Sequence, residues 1–176
     1  MPFIQPEQAV EYLELAPGMR VADFGAGAGH WAIALARRVG SSGKVFAIDI
    51  LPTALEATRS RAKLENLFNI ETIWGDLEVP LASKLKENLL HMVLLSNILA
   101  QAEDKIAVVT EAHRILMPSG KAVLVEWDPS AGGVATVPRS SQIMRQDAER
   151  LMEEVGFSFE KEFSAGSYHY GIVFRK

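Results

Sequence analysis

Val21-Ala22-Asp23-Phe24-Gly25-Ala26-Gly27-Ala28-Gly29-His30 decides the reading of this chain. It leaves Arg20 to Phe24, a short apolar run that stops at glycines and so reads as a strand. It opens His30 to Val39, where Ile33, Ala34 and Leu35 make one apolar face of a helix. The glycines let the backbone turn tightly and approach a ligand with no Cβ in the way. The helix beyond offers free N–H groups and a positive dipole end, a seat for a carboxylate or a phosphate.

Outward from this loop, strands and helices alternate. Val45 to Ile50 reads as a second strand, Pro52 to Glu65 as a helix with proline in its first turn, and Ile70 to Trp74 as a third strand. Ser83 to Glu87 is expected to form a short helix. Met92 to Ser96 is nearly all apolar, as a strand buried on both faces should be. A helix is expected over Ala102 to Leu116, ended by Pro118-Ser119-Gly120, then a strand over Lys121 to Trp127. Upstream, Pro6 to Leu15 reads as a short helix. Downstream, Asp128 to Pro138 reads as a loop and Ser141 to Val155 as a helix with Gly156 just past its end. Phe157 to Phe163 and Tyr168 to Arg175 form a closing hairpin. The expected fold is α/β: a three-layer Rossmann-like sandwich, with a seven-stranded, mostly parallel sheet and an antiparallel C-terminal hairpin strand. Residues 1–176 are read as a single domain.

Composition narrows the function. The chain is 48% hydrophobic and 23% charged, enough apolar material to bury a sheet between two helical layers. A net charge of -4 argues against broad affinity for nucleic acid or acidic membranes. With no cysteine, thiolate metal sites, disulfides and thiol nucleophiles are excluded. Met1 to Val10 holds no basic segment followed by an apolar run, and no stretch is long and apolar enough to span a bilayer. A cytoplasmic location is the expectation, and no metal is expected.

Asp49 ends the second strand, 20 residues after Gly29. An acid at that place in a doubly wound sheet accepts hydrogen bonds from ribose hydroxyls, so loop and acid together point to an adenosine-containing ligand. The dinucleotide fingerprint wants a glycine three positions after its second glycine, and counting from Gly27 that place holds His30. The pattern is instead an acid followed by Gly-x-Gly-x-Gly, which resembles the first motif of class I S-adenosylmethionine-dependent methyltransferases. Val45-Phe46-Ala47-Ile48-Asp49-Ile50 resembles their second motif, Trp74-Gly75-Asp76-Leu77 the third, and Leu94-Leu95-Ser96-Asn97-Ile98-Leu99 the fourth. His113 to Lys121 resembles the helix and turn before strand five, and the closing hairpin matches the reversed seventh strand.

The resemblance implies S-adenosylmethionine as cofactor. It places Asp23 at the ammonium of the methionine moiety, the backbone at Gly25, Ala26, Gly27 and Gly29 against the cofactor, Asp49 and Ile50 at the sugar, and Asp76 and Leu77 at the adenine. Two departures stand out: His91-Met92 where the family often has Asp, and Ser119-Gly120 where it usually has two glycines.

Several residues carry two readings. Asp76 caps a turn or meets adenine. Asn97 faces the transferable methyl or caps the following helix. His30 touches the cofactor carboxylate or is a half-exposed histidine beside the loop. Glu126 and Asp128, at the carboxyl edge of strand five, orient a substrate or act as a base. Tyr168-His169-Tyr170 lines a pocket, meets a subunit, or simply packs in the sheet. Trp74 is read as core or pocket wall, and His91 and His113 as structural.

Methyl transfer from a sulfonium needs mainly an aligned nucleophile and a water-poor site. Asn97, Glu126, His169 and the loop from Asp128 to Pro138 are expected to face the acceptor. The fourth segment is not the Asn/Asp-Pro-Pro-aromatic motif of amino-directed nucleic-acid methyltransferases, and without cysteine the thiol chemistry of arsenite methyltransferases is unavailable. The pattern looks like the small-molecule methyltransferases of ubiquinone and menaquinone biosynthesis. Two other readings stay open: a non-catalytic module that keeps the cofactor pocket, and an NAD-dependent oxidoreductase. Oligomeric state is not legible.

Overall fold

A computed structural model of the chain describes residues 5–131 and 142–176. Seven strands form one sheet: β1 (Arg20–Phe24), β2 (Lys44–Asp49), β3 (Ile70–Trp74), β4 (Leu90–Ser96), β5 (Leu116–Trp127), β6 (Ser158–Ser164) and β7 (His169–Arg175). Their order is β3-β2-β1-β4-β5-β7-β6. All neighbours run parallel except β7, which is antiparallel to both β5 and β6. The expected α/β sandwich with one reversed hairpin strand is the fold observed.

Period-two alternation sends the side chains of each strand to two separate cores. Val21, Val45, Leu94, Val123 and Val173 pack on one face with Val10 and Leu13 and with Trp31, Leu35 and Val39 of α2 (His30–Val39). Ala22, Phe46, Val93, Leu95 and Leu124 pack on the other with Val108, Val109 and Ala112 of α4 (Lys105–Ile115) and Ala148 and Met152 of α5 (Arg145–Val155). Helix α3 (Pro52–Leu64) lies beside α2 and against β2 and β3. The chain passes from β1 to β2 on one side and places β4 on the other. The crevice between their carboxyl ends is where such sheets hold ligands.

Four expectations are corrected. Pro6 to Leu15 is one α turn, α1 (Pro6–Ala9), followed by a tighter 3-10 turn (Val10–Leu13) that stops where Glu14 turns left-handed at φ 54°. The expected helix over Ser83 to Glu87 is a set of turns. Side chains of α4 hold it there: Glu111 accepts from the Ser83 hydroxyl and backbone N–H, and Arg114 donates to Leu85 O at 2.9 Å. The helix expected from Ala102 starts at Lys105, because Asp104 caps it by accepting from Ala107 N–H at 2.9 Å. Finally, Leu116 to Gly120 does not end a helix as a free turn. Leu116 pairs with Leu90 and Lys121 with Met92, so the residues between bulge out of the ladder, with Ser119 at φ 63°. Residue 141, the expected start of the last helix, lies outside the described residues, and α5 begins at Arg145.

Candidate functional site

β1 delivers Asp23 into the protein interior, beside Ala47 of β2 and Leu94 of β4. Its side chain is fully buried, and neither carboxylate oxygen has a hydrogen-bond partner among the described residues. Burial pushes its pKa up to about 7; the nearby Ala32 N–H pulls the other way, and the charge of Asp49 adds to the rise.

The glycine loop then folds over the strand end. Gly25 and Ala26 N–H both donate to Ile48 O, at 2.9 and 3.1 Å, and Gly29 N–H donates to Ala26 O at 2.9 Å. Gly29 is a glycine for two reasons: its φ is +81°, and a Cβ there would lie 2.7 Å from Thr58 Oγ1. At Gly25, a Cβ would press on Ile98 at 3.3 Å. Gly29 precedes α2 without a capping side chain, so the first N–H groups of the helix are not taken up by one. His30 is exposed on that first turn, 3.4 Å from the Arg61 guanidinium.

Asp49 closes β2 with both oxygens engaged: Oδ2 accepts from Gly27 N–H and Oδ1 from Leu51 N–H, each at 2.8 Å. A carboxylate oxygen can accept more than one bond, so acceptor capacity remains. Ile50 and Leu51 are exposed beyond it, and Trp74, read from sequence as core or wall, is exposed too, with its Nε1 donating to Ile50 O at 2.9 Å. Asp76 Oδ1 accepts from Glu78 N–H at 3.0 Å, a local turn that fixes the carboxylate, and Leu77 beside it is buried.

These elements enclose a cleft of about 390 Å³. Gly25, Gly27, Asp49, Ile50, Asp76, Leu77 and Asn97 all line it. Asp23, Ala26, Gly29 and His30 do not. Asp23 and Ala26 are buried, Gly29 packs on Thr58, and His30 faces solvent. The described lining carries three carboxylates, Asp49, Asp76 and Glu78, and no Lys, Arg or His. Glu78 and Gln101 were not singled out from sequence. Glu78 stands two residues beyond Asp76 in a Gly-Asp-Leu-Glu run that could have flagged it; Gln101 carries no such signal. No group of three or more His, Asp or Glu suited to a metal ion occurs among the described residues.

At the other end, Asn97 does not cap a helix. It takes a left-handed φ of 53°, donates its backbone N–H to Val125 O at 2.8 Å, and accepts from Gln101 Nε2 at 2.6 Å through its own carbonyl. Its side-chain Nδ2 lies 3.4 Å from His169 Nε2, and its Oδ1 is buried without a partner. His169 is stacked on Trp127 with ring centroids 4.1 Å apart. Burial lowers its pKa to about 4, so it is neutral at pH 7.

Glu126 does not reach the cleft. It is fully buried, and Oε1 accepts from Leu99 N–H at 2.8 Å under the turn that follows Asn97. Burial raises its pKa to about 7, with the backbone N–H groups of Leu99, Ala100 and Ile98 pulling against that rise. Asp128 Oδ1 accepts from Ser130 N–H and Oγ at 2.9 and 2.6 Å, a turn of its own outside the cleft lining. Most of the loop expected to face the acceptor, 132–138, lies outside the described residues.

The strand order, with a crevice at its switch point, is that of the Rossmann-like methyltransferase fold. Residues 15–164 match the family described as "Methyltransferase domain", and the chain belongs to that family. It is 30% identical over 144 residues to a demethylmenaquinone methyltransferase of Lactococcus lactis, covering 82% of this chain and 54% of that one. It is 28% identical over 121 residues to the protein of that name from a Geobacillus species, covering 68% and 50%. The chain thus spans about half the length of these curated relatives. In fold it is similar to the crystal structure of an S-adenosylmethionine-dependent methyltransferase from Aquifex aeolicus, with a TM-score of 0.88 and 21% identity over 98% of this chain and 90% of that one. No helix among the described residues is long and apolar enough to cross a membrane.

Proposed function

We propose that this enzyme seats S-adenosylmethionine between the glycine loop, Asp49 and Asp76, and transfers its methyl to a small, uncharged acceptor that meets it beside Asn97. The carrying observation is the charge of the cleft: three carboxylates and no cationic side chain among its described lining. Such a lining favours a sulfonium nucleoside and opposes a dinucleotide, whose two phosphates would face acids with no counter-charge. Behind the loop, the partnerless carboxylate of Asp23 is suited to an ammonium.

When bound, the cofactor supplies an electrophilic methyl. The chain's own residues hold and align. Gly27 and Leu51 N–H fix the Asp49 carboxylate, which keeps lone pairs for ribose hydroxyls. Glu78 N–H fixes Asp76 at the adenine end. Glu126 holds the turn that carries Asn97 and Ile98, in place of the base or substrate contact expected from sequence. His169, with a pKa near 4, is a poor base at neutral pH, and Asp128 is engaged in its own turn. Catalysis on this reading is positioning and exclusion of water, and the proton that the acceptor gives up as the methyl arrives passes to solvent, not to a side chain of the cleft. The names of the curated relatives make demethylmenaquinone the first acceptor to try.

The cofactor half is tested by calorimetry with S-adenosylhomocysteine. Asp49→Ala is expected to abolish binding, and an affinity equal to the parent would reject the assignment. The acceptor half is tested by methyl-labelled cofactor with demethylmenaquinone and with a mixture of metabolites. Label that lands on anionic acceptors and spares neutral ones would reject the charge argument.

A further inference from the structure

The glycine loop is gripped from outside the cleft as well as from within. Thr58, in the middle of α3, is fully buried, and its Oγ1 donates to Gly27 O at 3.0 Å. A mid-helix threonine hydroxyl commonly bonds back to its own helix; this one reaches across to the loop. Three residues on, Arg61 Nε donates to the next carbonyl, Ala28 O, also at 3.0 Å. Gly29 backs directly onto Thr58: a Cβ on the glycine would lie 2.7 Å from the threonine Oγ1 and 2.9 Å from its Cγ2.

The grip on Gly27 reaches further. The C=O of Gly27 is held by Thr58, and its N–H donates to Asp49 Oδ2 at 2.8 Å. Asp49 Oδ1 is held by Leu51 N–H. A hydrogen-bonded path therefore runs from Thr58 through one glycine to the acid at the end of β2. Glycine has the softest backbone of any residue, so its orientation depends on what holds its two polar groups. Without the threonine hydroxyl, Gly27 is held by its N–H alone, and of the two bonds that fix Asp49 only the one from Leu51 N–H keeps a firmly held donor.

We propose that Thr58 is a positioning residue for the cofactor: acting through Gly27, it sets the orientation of the Asp49 carboxylate and with it the strictness with which the site demands ribose hydroxyls. This rests on the reading of Asp49 as the ribose acid.

The probes are S-adenosylhomocysteine and its 2′-deoxyadenosyl analogue, titrated against the parent, Thr58→Val, Thr58→Ser and Asp49→Asn, with Tm recorded for each. The parent is expected to prefer the ribose form. Thr58→Val keeps the shape and removes the hydroxyl; it is expected to bind S-adenosylhomocysteine about fivefold more weakly, the worth of roughly one hydrogen bond. Its affinity for the deoxy analogue should change less than twofold, so the preference collapses. Thr58→Ser should restore it. Equal losses for both ligands, or an unchanged preference, would overturn the proposal and leave Thr58 as packing alone. Should Thr58→Val not fold, Thr58→Ala reads the same preference. Asp49→Asn separates the two layers. If it abolishes the ribose preference while Thr58→Val does not, only the Thr58 proposal falls. If it leaves the preference intact, the ribose reading falls and the proposal with it.

Discussion

The two ends of the cleft are built on opposite plans. At the β2–β3 end the carboxylates are already in use: both oxygens of Asp49 and one of Asp76 accept backbone N–H groups. At the β4–β5–β7 end, Asn97 Oδ1 of the lining is buried without a partner among the described residues, and so, behind the lining, are Glu126 Oε2, His169 Nδ1 and both oxygens of Asp23 on β1. The one other such atom among the described residues, Glu160 Oε2, lies 2.6 Å from Arg175 and is in effect paired. Buried polar groups are nearly always satisfied, so a cluster that is not marks a place where stability has been given up for ligand contact. The first end is preorganised by the protein. On the proposed reading, the second is completed by what binds.

The contrast makes opposite predictions for truncation. Asp49→Ala strands the N–H groups of Gly27 and Leu51 while removing the sugar contact. Beyond the loss of cofactor binding, it should lower stability by about 2 kcal/mol, or roughly 4–8 °C in Tm. A calorimetric scan showing no loss would break the claim that this end is preorganised.

Glu126 belongs to both plans, with one oxygen engaged and one not. Glu126→Ala leaves the turn after Asn97 without its acceptor and should cost about 2 kcal/mol by denaturant titration, together with turnover. Glu126→Gln still offers a carbonyl oxygen to Leu99 N–H and should cost less than about 1 kcal/mol. Equal losses in both would show that charge, not hydrogen bonding, holds the turn.

Asp23 belongs to the second plan. Its folded pKa, about 7, exceeds the ordinary 3.8, so between those values the folded protein binds more protons than the unfolded one. The ligand-free enzyme should therefore lose stability as pH rises from about 4 to 7 and level off above. Asp23→Asn should flatten that slope and raise stability at pH 8 by about 1 kcal/mol, less than the full relief because the amide is also unsatisfied, while impairing cofactor binding. In the parent, S-adenosylhomocysteine should bind more tightly as pH rises through 7 and the carboxylate ionises to meet the ammonium. A pH-independent affinity would separate Asp23 from that role.

What was legible in the sequence follows from range. The glycine loop, Asp49 and Asp76 announce themselves because turn, strand end and spacing are local signals, and the parallel sheet follows from strand–helix alternation. The position of Glu126 at the edge of β5 is legible but its direction is not: it turns inward to the backbone of a turn 27 residues away. The turns at Ser83 to Glu87 were mistaken for a helix because Glu111 and Arg114, which hold them, lie on a distant element. Thr58 is hidden for the same reason, since nothing in the sequence of α3 says which residue will meet a loop carbonyl 31 positions earlier.

The smallest effect, and the sharpest check on the sign of the contrast, concerns His169. Its folded pKa, about 4, lies below the ordinary 6.5 because burial disfavours the imidazolium. Here the unfolded chain binds the extra proton, so the contribution of this residue is complete above pH 6.5 and is lost as pH falls toward 4, the reverse of Asp23. His169→Phe keeps a ring against Trp127 and has no proton to take up. At pH 7.5 the two proteins should differ by less than about 0.5 kcal/mol, with the phenylalanine variant level or ahead, since a partnerless ring nitrogen has gone. On lowering pH from 6.5 the parent should fall behind the variant. If the parent holds level instead, the imidazole is protonated in the fold with a partner to receive it, and this end of the cleft is already satisfied by the protein alone.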